Sequence, residues 1–95
     1  QVSAISDPAI AAQVAEAAEA VGAAASNFAE LGIGTNLGVT ELVGSVLLDE
    51  KMAGTVHVAI GDNAGIGGDV EAPLHLDGIM RSPTVMVDGR PLALP

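Results

Sequence analysis

Residues 55–77 read TVHVAIGDNAGIGGDVEAPLHLD and contain both histidines of the chain. Side chains two apart on a strand share a face. In Thr55–Ile60 this places Val56, Val58 and Ile60 on one side and His57, between Thr55 and Ala59, on the other. From Leu74 to Asp77, His75 and Asp77 point one way while Leu74 and Leu76 point the other. An imidazole beside a carboxylate suits a divalent cation. Between the two strands, Gly61-Asp62-Asn63 is turn chemistry, residues 64–72 are expected to form a mobile glycine-bearing loop over or beside the site, and Pro73 sets the entry to the second strand.

Toward the amino end, Phe28–Ile33 alternates in the same way, with Ala29, Leu31 and Ile33 on one face and Glu30, Gly32 and Gly34 on the other. A histidine on the outer face of a half-buried strand is more often plain surface, and Glu30 alone would be an exposed strand acid. Here three strands each offer a ligand-capable residue on the face that otherwise carries Gly, Ala or Thr, which leaves room for an ion and a substrate. Glu30, His57, His75 and Asp77 are therefore expected to converge on a metal.

The rest of the chain supplies scaffold. Asp7-Pro8 is a helix entry, and Ile10, Val14, Ala17 or Ala18 and Val21 recur at helical spacing, predicting one amphipathic helix from Pro8 to about Ser26. Thr40-Glu41 with Leu42, Val43, Val46 and Leu47 predicts a second helix that ends near Gly54, with Asp49, Glu50 and Lys51 facing water. Ser82-Pro83 turns the chain, and Asp88-Gly89 between Thr84–Val87 and Arg90–Leu94 predicts a type I′ hairpin. The expected fold is α+β: one small, mainly antiparallel sheet of four to five strands carrying two helices, in a single domain over residues 1–95.

Composition removes several function classes. Three basic against twelve acidic residues give a formal charge of −9, which repels nucleic acid and anionic lipid; the same acids also serve as a solubilising surface. No cysteine is present, so any metal is held by nitrogen and oxygen. No run of about 18 apolar residues exists and no basic signal start precedes one, so a soluble, cytoplasmic protein is expected. The glycines at 32, 34 and 38 miss the GxGxxG spacing, no GxSxG elbow occurs, and the single aromatic, Phe28, provides no platform for a sugar ring. With 49% hydrophobic residues and a mean hydropathy of +0.51, some apolar surface is expected to be covered by a second subunit or by further sequence.

Four phrases carry a family resemblance: Ala29-Glu30-Leu31-Gly32-Ile33-Gly34-Thr35-Asn36, Leu48-Asp49-Glu50-Lys51, Gly54 through Asn63, and Leu74-His75-Leu76-Asp77-Gly78. In these the chain resembles the C-terminal portion of the thermophilic-type metallo-aminopeptidases, the aminopeptidase T family, and especially its leucyl-aminopeptidase-like branch. The resemblance implies a pair of divalent metals, Zn, Co or Mn, with Glu30, His57, His75 and Asp77 at the ligand positions. It also implies hydrolysis at the amino end of a peptide by metal-activated water, with Glu30 touching the metals and relaying the proton as a catalytic residue. The family takes a further glutamate from upstream sequence and places a tyrosine shortly after the first metal histidine. This chain has Asp62-Asn63-Ala64 there and no tyrosine. Together with a start at Gln1, these differences lead to the expectation that the chain is the metal-bearing C-terminal part of a longer enzyme, its cleft completed by an N-terminal domain; a homo-oligomer is the other expected partner. Two alternatives stand beside it. His57, His75 and Asp77 alone make a two-histidine, one-carboxylate triad for Fe(II), as in ring-cleaving dioxygenases that resemble the same family. The other is a non-catalytic assembly domain.

Overall fold

Asp7 starts the first helix in the predicted way, accepting hydrogen bonds from Ala9 N at 2.9 Å and Ile10 N at 3.0 Å while Pro8 occupies the first turn. In the computed structural model, which describes all residues from Gln1 to Pro95, α1 spans Pro8–Val21. Gly22 ends it at φ 64°, and Gly22–Ser26 continue as a 3₁₀ turn instead of the single helix expected to Ser26. The remaining elements are β1 (Phe28–Ile33), α2 (Val46–Asp49), β2 (Thr55–Gly61), a 3₁₀ turn at Ala64–Ile66, β3 (His75–Arg81), β4 (Val85–Val87) and β5 (Arg90–Leu92). The fold is α+β, with five strands divided between an antiparallel sheet ordered β1-β2-β3 and a two-stranded sheet, β4-β5.

Two compact units are built from interleaved stretches of chain. The first comprises Gln1–Glu30 and Val58–Asp77. Its core is the buried trio Val14, Ala17 and Ala25, with Ile5, Ile60, Leu74 and Leu76 packed against it. Gly61 N donates to Asn27 O at 2.9 Å and Asp62 N to Leu74 O at 2.8 Å, which ties the end of β2 to the starts of the strands on either side.

The second unit comprises Leu31–His57 and Gly78–Pro95. Here Gly34 N donates to Thr55 O at 3.0 Å and Ser82 N to Gly54 O at 2.9 Å, while Asn36 forms a bridge to Met52. Thr55, Val56 and His57 are buried. The Asp88-Gly89 turn has φ of 50° and 80°, the positive pair that a type I′ turn requires, and Val87 pairs with Arg90 across it.

Two expectations are corrected in this unit. The second helix is only Val46–Asp49, not a run from Thr40. Asp49 does not face water: it is 6% exposed, and its carboxylate accepts from Val43 N at 2.8 Å and Gly44 N at 3.0 Å. Those bonds hold residues 43–44 in a non-helical bend, a local competition in which a side-chain acceptor replaces the helical ladder. Leu47, part of the stripe predicted for this helix, is 70% exposed.

Candidate metal centre

Within the first unit, Glu30 ends the β1 portion while His75 and Asp77 lie on the first residues of β3. The alternation read from sequence puts His75 and Asp77 on one side of their strand, and Leu74 and Leu76 join the hydrophobic core on the other. His75 Nε2 lies 3.4 Å from Glu30 Oε2 and 3.4 Å from Asp77 Oδ1. One ligand atom from each of the three residues falls within 4.8 Å of the others.

Behind the ring, His75 Nδ1 donates to the main-chain carbonyl of Asp62 at 2.6 Å. That bond fixes the ring and leaves Nε2, the nitrogen between the two carboxylates, as the atom with a lone pair in the neutral imidazole. It is also the largest cause of a raised His75 pKa, since the protonated ring donates more strongly. Burial pulls the other way, and the negative charges of Asp77 and Glu30 add to the rise.

Two observations test whether this donor set fits a cation. Charge-assisted N–H···O⁻ bonds run to about 2.7–2.9 Å. The two 3.4 Å separations are longer, and Asp77 Oδ1 is buried with no hydrogen bond. Ligands about 2.1 Å from a tetrahedral ion, by contrast, are about 3.4 Å from one another. Both separations are compatible with one imidazole and two carboxylates sharing an ion. Glu30, His75 and Asp77 could hold a metal ion.

His57, the fourth residue expected to join them, belongs to the second unit. It is 7% exposed, and its Nε2 lies 3.9 Å from Glu50 Oε2. The space that Gly32 was expected to leave for an ion is filled by this imidazole: a Cβ on Gly32 would stand 2.0 Å from His57 Cε1. Gly32 is thus required by packing of the ring. Glu50 was not singled out from sequence, where it reads as one of three consecutive polar residues. It lies on the inner side of its pair with Lys51, whose Nζ donates to Glu50 Oε1 at 2.6 Å. The Asp62 carbonyl was also missed, because a main-chain acceptor leaves no mark in composition.

Loop residues 62–72 are closed by hydrogen bonds at the neck. Asp62 Oδ1 accepts from Ala64 N and Oδ2 from Ala72 N, both at 3.1 Å, and Asn63 Oδ1 accepts from Val70 N at 3.0 Å. Asp62 also borders a hollow of about 460 Å³ together with Val21, Glu71 and Pro73. No helix is long and apolar enough to cross a membrane. No protein-family model, curated protein or solved structure matches the chain.

Proposed function

We propose that the chain is the metal-bearing part of an aminopeptidase-like hydrolase, in which Glu30, His75 and Asp77 hold a divalent cation used to cleave the amino-terminal residue from a peptide. The observation that carries this reading is the pair of 3.4 Å separations around His75 Nε2, with Nδ1 tied to the Asp62 carbonyl. The choice of reaction rests on the resemblance of four phrases to the aminopeptidase T family.

A bound Zn²⁺, Co²⁺ or Mn²⁺ would supply Lewis acidity and lower the pKa of its bound water. The chain's own residues do the rest. Asp77 and Glu30 bring the negative charge that holds a dication, and His75 adds a directional nitrogen. Glu30, half-buried at the cluster, takes the proton from the attacking water and returns it to the leaving amine. The exposed Leu37, Val43 and Leu47 support a second copy or a further domain covering part of the second unit.

Titration of the metal-free chain with Co²⁺ or Zn²⁺, followed by an assay of leucine release from leucine p-nitroanilide, tests both halves. Saturable binding is expected, lost in His75→Ala and Asp77→Ala, with Glu30→Gln abolishing release. An unaltered isotherm in both alanine variants would remove the cluster from consideration, and a loaded chain that releases no leucine would remove the peptidase reaction.

A further inference from the structure

We infer that Asp62 is a positioning residue for this centre: its carboxylate locks the neck of the 62–72 loop so that its own carbonyl is held against His75 Nδ1. The inference rests on the metal reading above and adds to it a device that controls the ligand's tautomer and direction. Asp62 makes four hydrogen bonds to four different residues. Its N donates to Leu74 O at 2.8 Å, Oδ1 accepts from Ala64 N and Oδ2 from Ala72 N at 3.1 Å, and its O accepts from His75 Nδ1 at 2.6 Å. These bonds reach both ends of the loop and the first residue of β3.

A carboxylate is needed for this arrangement because two amide N–H groups approach one side chain from either end of the loop. Asparagine offers one acceptor oxygen and would turn an NH₂ toward the other amide. The peptide plane of Asp62 is therefore fixed at three points besides the histidine, and the carbonyl has little freedom to turn away. Asn63 is the natural comparison. It closes the same loop through Val70 and through Gly68 N, which donates to Asn63 O at 2.9 Å, yet none of these bonds reaches His75. Loop integrity and ring orientation are thus assigned to neighbouring residues and separate by mutation.

The experiment compares the full chain with Asp62→Asn, Asp62→Ala and Asn63→Ala. Three quantities are read: the Co²⁺ dissociation constant, the visible absorption of bound Co²⁺, and the tautomer of His75 in the metal-free chain by long-range ¹H–¹⁵N correlation. Loss of such an outer partner weakens metal binding by about 10–100-fold. That loss is expected in Asp62→Ala and, less strongly, in Asp62→Asn. It should come with a changed Co²⁺ spectrum and a partial shift of the ring proton from Nδ1 to Nε2. Asn63→Ala is expected to lower the thermal midpoint while keeping Co²⁺ affinity within about threefold and the Nδ1–H tautomer intact. Wild-type affinity, spectrum and tautomer in the Asp62 variants would overturn the inference and leave the metal site standing. Equal loss in Asn63→Ala would overturn it in favour of simple loop collapse. A parent chain that binds no Co²⁺ would take down the metal reading itself, and the inference with it.

Discussion

At the scale of single residues, the chemistry turns on His75. Its pKa is raised in the folded chain, first by the bond to the Asp62 carbonyl and then by the carboxylates of Asp77 and Glu30, against an opposing effect of burial. A group with a raised folded pKa contributes stability that is fully present below its unfolded value of about 6.5 and is lost as pH climbs through the folded value. The metal-free chain is thus expected to lose stability from about pH 6.5 upward, where His75→Gln should be flat by comparison. Urea midpoints across pH 5.5–8.5 check this, and parallel profiles for the two proteins would contradict it. On the proposed metal reading, cation loading would run in the opposite direction, since Nε2 must shed its proton to become a ligand, and affinity should rise over the same range. The charge relations among Glu30, His75 and Asp77 were legible in the sequence because strand alternation alone puts His75 and Asp77 on one side. The carbonyl that sets the ring was not, because any residue could have provided it.

At the scale of elements, the legible features were those with local causes. Asp7-Pro8 begins a helix and Asp88-Gly89 closes a hairpin because a few adjacent atoms decide the matter. The second helix failed because a side chain five and six residues downstream competes for its amides: the Asp49 carboxylate reaches back to Val43 N and Gly44 N. Sidedness was the other gap. Alternation says that two faces differ but not which is covered, and so Leu31 is 66% exposed while Thr55 is fully buried. The end of β2 offers a direct test of packing. Gly61 has φ of 105°, and a Cβ there would lie 2.3 Å from Leu74 O. Gly61→Ala combines backbone strain with a steric clash and is expected to cost about 2–5 kcal/mol. A denaturation midpoint equal to that of the parent would show that the two segments separate freely. Asp49→Asn, which keeps one acceptor of two, should cost about 1 kcal/mol by the same measurement, and no loss would mean that water serves residues 43 and 44 equally well.

At the scale of the whole molecule, charge dominates the response to solvent. A net charge of −9 on 95 residues stores self-repulsion in the folded state. Raising NaCl from about 10 to about 150 mM shortens the screening length from about 30 to about 8 Å and should raise the thermal midpoint by about 3–6 °C. A midpoint that falls with salt would mean that attractive pairs outweigh repulsion. Calcium or magnesium at millimolar levels should match sodium at equal ionic strength in His75→Ala, separating general screening from occupancy of the cluster.

The interleaving of the two units has a consequence for synthesis. Val14 and Ala17 emerge from the ribosome early, yet Leu74 and Leu76, against which they pack, are translated some sixty residues later. Neither unit is complete within residues 1–57. In a nascent chain halted after His57 the stretch from Gln1 to His57 should remain sensitive to protease, and resistance should arrive late, in the first unit once Asp77 has cleared the exit tunnel and in the second once Pro95 has.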